Sequence, residues 1–192
     1  IKVPLAVAAM RASGSAELPS ATSAIVESDN AAAEDLWASL GDAPTAAASV
    51  EQVLLDGGDP STVVQKEPIR SGYSSFGQTD WPLARQTQFA SELQCVDFGA
   101  AIVELMKQIS PHQSWGLGRI PGAAFKGGWG PGEDGSYLVR QLGIIDVADG
   151  SMAVAIAAEP DSGSFDDGTV MLDAVAEMLA SNTSSLPYGR CI

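Results

Sequence analysis

The spacing of apolar positions divides the chain into a helical first half and an extended second half. Residues 3–12 are almost continuously apolar and alanine-rich, with Pro4 in a first-turn position that a helix tolerates and Gly14 as a stop. A short helix is predicted over 20–27. Another is predicted over 31–40, ahead of the C-terminal signal Gly41, and one capped by Thr45 runs through Leu55 to Gly57-Gly58. Residues 59–79 form the longest irregular stretch, with Pro60, Pro68, Gly72 and Gly77; a loop of that length in a compact domain is either functional or disordered. Asp80 then starts a helix with Trp81-Pro82 in its first turn and Leu83, Phe89, Ala90 and Leu93 as its apolar stripe. Residues 98–109 repeat the helical spacing before Pro111.

After Pro111 the period changes. Residues 115–117 and 123–126 read as short extended segments among glycines. Residues 137–147 and 152–159 are rich in Val and Ile, and Asp149-Gly150 between them is a strong hairpin signal. Met171, Leu172, Val175, Met178 and Leu179 then recur at helical spacing. Helices first, antiparallel strands next and a closing helix predict an α+β fold. Residues 1–192 are expected to form one domain, mainly helical over 1–112 and antiparallel strands plus a C-terminal helix over 113–192.

Composition narrows the function classes. A chain of 192 residues that is 45% hydrophobic can bury a real core. Its formal charge of −14 argues against nucleic acid, which needs clustered Lys and Arg, and against an anionic membrane surface. No apolar run approaches the length of a transmembrane helix. The opening Ile1-Lys2-Val3-Pro4-Leu5 has neither an initiator Met nor a signal peptide and reads as the interior of a longer chain. Cys95 and Cys191 can pair, which would suit an exported protein, or stand as two buried thiols; a terminal tail with little else to hold it favours the pair. His112 is the single histidine and no zinc spacing occurs, so no metal and no cofactor is expected. Trp115 and Trp129 could line a cleft, although an aromatic is more often core than ligand platform.

Candidate chemistry begins at Ser28-Asp29-Asn30, three good N-cap residues at the mouth of a predicted helix. With Lys2 before them and Lys126-Gly127-Gly128 after them, they match in order the three motifs of penicillin-recognising serine hydrolases. The run Ile1-Lys2-Val3-Pro4-Leu5 resembles the segment just after the nucleophile in class A β-lactamase-like proteins, and residues 125–130 and 137–160 resemble that family's last strands. The likeness spans essentially the whole chain and is strongest to compact actinobacterial-type members, several of them exported or lipid-anchored.

The resemblance implies a β-lactamase/transpeptidase-like fold, with a helical subdomain and an antiparallel sheet flanked by a C-terminal helix. It implies acyl transfer on an amide or ester through a serine three residues before Lys2, so the nucleophile and some sheet strands are expected upstream of Ile1. Lys2 would be the general base and Ser28 the proton shuttle to the leaving nitrogen. Asn30 would bind the acyl side-chain amide, and Asp29 would be structural. Lys126 would give positive potential, Gly127 and Gly128 would let substrate approach the strand, and the Trp129 N–H would be one arm of an oxyanion hole. The implied partner is a small-molecule or peptidoglycan-like substrate, at the cell envelope or outside the cell.

Three departures from the family pattern leave an alternative open. Gly127 lacks the usual hydroxyl at that position, the interval from Lys2 to Ser28 is short, and the one acid near the expected deacylating base is Glu67, in poor register. A catalytically degenerate binding module with the same fold is the alternative reading.

Overall fold

The computed structural model describes residues 1–191. Its first half is a helical cluster built around α1 (Lys2–Ser13), in which every residue from Val3 to Met10 is buried. A helix that is apolar on all sides belongs inside other helices. Accordingly α1 is wrapped by α2 (Pro19–Val26), α3 (Asn30–Ser39), α4 (Ala43–Asp56) and α6 (Gly99–Met106). Its many alanines let these neighbours approach. Gly14 ends the helix in the left-handed conformation, at φ 68°, where its N–H reaches back to carbonyls of the last turn.

The second half is a three-stranded antiparallel sheet in the order β1 (Ala124–Pro131), β2 (Tyr137–Val147), β3 (Gly150–Ala158), followed by α7 (Phe165–Asn182). Neighbouring residues of β2 point to opposite faces of the sheet. Val139 and Gln141 on one face and Leu142 and Ile144 on the other are all buried, so both faces are covered. α7 covers the Val139 face, where Gly168 comes so close that a Cβ would stand 2.6 Å from the valine. The helical half covers the other face, with α5 (Leu83–Glu92) against β2 and β3 and α6 against β1. The α+β architecture expected from the sequence is the one observed.

Several local expectations are corrected. Asp42, not Thr45, caps α4: its Oδ1 accepts the Thr45 N–H at 3.0 Å, and the helix starts three residues early. Asp80, Trp81 and Pro82 precede α5 rather than opening it, and α6 stops at Met106, short of Ile109. Residues 115–117 do not form a strand; after the extended Trp115, Gly116–Arg119 is a 3-10 turn. Its N–H groups find side-chain partners instead of a strand ladder, Gly116 N donating to Asp173 Oδ1 at 2.6 Å and Leu117 N to Gln141 Oε1 at 2.7 Å. In the β2–β3 hairpin, Val147 pairs with Gly150, so the turn centres on Ala148-Asp149.

The 59–79 segment is ordered by two polar clasps. The buried Asp59 carboxylate accepts from the N–H groups of Ser61 and Thr62, the Thr62 hydroxyl and Trp81 Nε1 at 2.9 Å. Further on, Gln78 accepts the Arg70 N–H at 2.6 Å and donates to the carbonyls of Arg70, Tyr73 and Ser74. This loop is a built wall.

Cys95 and Cys191 are joined by a disulfide across 96 residues of chain, and Gly189 exchanges two backbone hydrogen bonds with Ser151 at the start of β3. A link across so long a loop is worth about 4–5 kcal/mol if it acts by restricting the unfolded chain. Reduction is therefore expected to lower the denaturant midpoint clearly, by several kcal/mol of unfolding free energy. An unchanged midpoint would show that the tail contributes nothing to the fold.

Candidate functional site

The site forms where the first residue of α1, the entry to α3 and the middle of β1 meet. Asp29 caps α3, its Oδ1 accepting from Ala31 N at 2.8 Å and Ala32 N at 3.3 Å. Just before it, Ser28 takes a left-handed backbone conformation, at φ 58°, which costs a non-glycine residue about 1–3 kcal/mol. In that conformation the serine presents both its carbonyl and its hydroxyl to two lysines. Lys2 Nζ donates to Ser28 O, lies 3.3 Å from Ser28 Oγ and donates to Asn30 Oδ1 at 2.8 Å. Lys126 Nζ donates to Ser28 Oγ at 2.9 Å and to its neighbour Gly127 O at 2.8 Å.

No carboxylate forms an ion pair with either lysine among the described residues. Lys126 is 5% exposed. Burial pushes its pKa down to about 7, with the Lys2 charge adding to the effect. Burial also lowers Lys2, to about 8, against the opposing pull of Asp29. The two amines share one oxygen and titrate as a pair, so the first proton to leave belongs to the pair rather than to either lysine alone. Near neutral pH the site holds an amine able to accept a proton, beside a second amine that keeps positive potential.

These groups open onto a cavity of about 980 Å³ between the helical half and the sheet. One wall is β1 from Lys126 to Pro131, and another is the loop from Arg70 to Gln78. Trp129, 41% exposed, lies along the cavity with its ring against Trp115 at 6.0 Å and Phe165 at 5.5 Å. Trp115 belongs to the core, at 6% exposed. It also crowds Gly127: a Cβ there would stand 3.2 Å from two atoms of the Trp115 ring, which would have to shift slightly to admit it. Gly128 is open except for the Arg140 side chain.

Thus Lys2, Ser28, Asn30, Lys126, Gly127, Gly128 and Trp129 come together on one cavity, and Asp29 holds the turn that presents Ser28. Glu67 is not with them. It is exposed and is not among the residues that line the cavity. His112 bonds Ser110 Oγ through Nδ1 at 2.9 Å, and no group of residues able to hold a metal occurs among the described residues.

Arg140 was not anticipated from the sequence. It pairs with Gly128 across the sheet, lines the cavity, and has no ion pair or hydrogen bond from its side chain among the described residues. Burial pulls its pKa down and Asp80 opposes this. The available signal was the one basic residue of a Val- and Ile-rich strand, which pairs with Gly128 in the observed register.

No family model and no curated protein matches the chain in sequence. Solved structures do match in shape. The TLA-3 extended-spectrum β-lactamase superposes with a TM-score of 0.75 at 13% identity, over 95% of this chain and 82% of its own. A class A β-lactamase representative from Bacteroides cellulosilyticus gives 0.71 at 12% identity, over 96% and 82%. The penicillin-binding protein PBP-A gives 0.67 at 17% identity, over 96% and 80%. The chain has the fold of class A β-lactamases and of this penicillin-binding protein. No helix is long and apolar enough to cross a membrane among the described residues.

The amine pair makes a prediction about its own titration. Following the lysine Cε signals of the folded protein with pH, the Lys126 and Lys2 resonances are expected to move with midpoints near 7 and 8. Lys2→Met removes the neighbouring charge and should raise the Lys126 midpoint. Midpoints near the ordinary lysine value of about 10.4 for both would contradict the burial described above.

Proposed function

We propose that the protein is a serine hydrolase of the β-lactamase/penicillin-binding class, transferring the acyl group of an amide or ester. The observation that carries this reading is the approach of two lysine amines, both with lowered pKa, to Ser28 Oγ at 3.3 and 2.9 Å. A lone hydroxyl is a weak nucleophile and needs a neutral base beside it. In this reading the nucleophile is a serine one helical turn before Lys2, where its side chain neighbours the lysine. Lys2, in its neutral form, takes the serine proton as the oxygen bonds to the substrate carbonyl carbon. The proton passes through Ser28 Oγ to the leaving nitrogen or oxygen as the acyl bond breaks. Water then cleaves the acyl ester, releasing the acid and restoring the serine.

The remaining residues take supporting parts. Asn30 accepts from Lys2 through Oδ1, which leaves its amide N–H groups to bind a carbonyl of the acyl side chain. The backbone N–H of Trp129, with that of the serine, receives the developing oxyanion. Gly127 has no hydroxyl for a substrate carboxylate, and the unpaired Arg140 opposite Gly128 supports an alternative anion contact one strand further in. With Glu67 off the cavity wall, the acyl-enzyme in this reading hydrolyses slowly, which suits a penicillin binder or a peptidase acting on peptidoglycan-like substrate. The Cys95–Cys191 bond supports an exported or cell-envelope location, because such bonds persist in oxidising compartments.

The second reading, a binding module that has lost the chemistry, rests on Gly127, which lacks the hydroxyl and where a Cβ would stand 3.2 Å from the Trp115 ring. One experiment separates the two. Intact-mass measurement of the full-length gene product with a penicillin or a fluorophosphonate should show one adduct per chain, and peptide mapping should place it on the serine three residues before Lys2. Lys2→Met and Lys126→Met should each slow adduct formation by about 100-fold or more. A different residue at that upstream position, or no adduct with either probe, leaves only the binding module.

A further inference from the structure

α3 brings a carboxylate to the cavity as well as Asn30. Asn30, Glu34 and Trp37 fall at helical positions i, i+4 and i+7 and so share one face of α3. Both ends of that face are fixed. Asn30 Oδ1 accepts from Lys2 Nζ at 2.8 Å, and the Trp37 ring packs with its centre 5.1 Å from that of Phe76 in the loop that walls the cavity. Ala32, Ala33 and Leu36 are buried on the other sides of the helix, which packs on α1 and α2, so this face cannot turn away. Glu34 lines the cavity between the Lys2 amine and the loop, its Cβ about 5–6 Å from that of Asn30.

Among the described residues two acids line the cavity, Glu34 and Glu159. Glu159 follows Ala158, the last residue of β3, which pairs with Val139 of β2 and through it stands level with Trp129 of β1. It is two strands, or about 10 Å, from the strand that carries Lys126. Glu34 is one helical turn from a side chain that Lys2 already touches. It is exposed and in no ion pair among the described residues. Its carboxylate oxygens are therefore open to a water in the cavity.

We propose that Glu34 is the general base of the hydrolytic half-reaction, a catalytic residue that no sequence motif marks. The assignment rests on the acyl-transfer reading and concerns only the removal of the acyl group. In that reading the acyl ester sits on the serine beside Lys2, with its carbonyl oxygen on the Trp129 N–H, so the side of the ester away from β1 looks towards α3. The Glu34 carboxylate takes one proton from a water in that space as the water oxygen bonds to the ester carbonyl carbon. The bond from that carbon to the serine oxygen then breaks, the serine oxygen receives the proton, and the free acid leaves. A positioned base contributes about 100- to 10,000-fold to such a step. Glu34, exposed and held by no ion pair, belongs at the low end, in keeping with slow hydrolysis of the acyl-enzyme.

The test uses the full-length protein acylated with benzylpenicillin and then freed of excess penicillin, with loss of the adduct followed by intact mass. The wild-type adduct should decay in water. Glu34→Gln, of the same size but without the basic carboxylate, should slow that decay by about tenfold or more, and Glu34→Ala should behave likewise. Hydroxylamine attacks the ester as a neutral amine and needs no base, so it should strip the adduct from all three proteins at similar rates. That arm separates a lost base from a distorted site. Equal decay in water, a wild-type adduct that water does not remove, or an equal slowing of water and hydroxylamine in both variants would overturn the assignment and leave the acyl-transfer reading standing. No adduct in the wild type removes that reading, and the role of Glu34 with it.

Discussion

Everything about the site depends on two lysine amines held against one serine hydroxyl, neither of them in an ion pair among the described residues. Placing a charged amine in a 5%-exposed position is costly, and the protein meets that cost by letting the amine lose its proton near neutral pH. Few arrangements in an acidic chain would leave a lysine without an acidic partner. This chain has 24 acidic residues and 10 basic ones, yet Lys2, Lys126, Arg70 and Arg140 all line one cavity. The positive side chains are concentrated where the surrounding charge is opposite in sign.

The fold is what holds the amines in place. Lys2 is fixed because α1 is buried on every side and cannot rotate or slide without opening the core. Ser28 is fixed by its hydrogen bonds to both lysines and by its place directly before the Asp29 cap of α3. Lys126 is fixed by an antiparallel register in which it pairs with the buried Leu142, so a slip of one residue would turn it to the opposite face. The three supports lie far apart in sequence and become one site only through the packing of the sheet against the helical half.

Much of this could be read from the sequence, and the limits have physical causes. The all-apolar run after Lys2 announced a buried helix, the Val- and Ile-rich segments gave β2 to the residue, and the motif order brought Lys2, Ser28 and Lys126 to one place. What stayed hidden were contacts across long intervals. Residues 115–117 read as extended because Asp173 and Gln141, which satisfy that backbone, lie 57 and 24 residues away. Gly127 read as a missing hydroxyl, whereas the structure adds that a side chain there would press on the Trp115 ring, which would have to give by a few tenths of an ångström. Arg140 and Glu34 matched no motif; each takes its meaning from what lies near it in space. The irregular 59–79 segment carried no periodic signal, and its order comes from the Asp59 and Gln78 clasps, a form of structure that local spacing does not encode.

The most direct test of a lowered-pKa amine as the working base is the pH dependence of acylation itself. With the full-length protein and a penicillin in excess, the acylation rate should rise with pH through an apparent midpoint between about 7 and about 8, as the paired amines lose their first proton. A rate that stays flat across that interval, or that climbs only near the ordinary lysine value, would contradict the role assigned to Lys2 and Lys126.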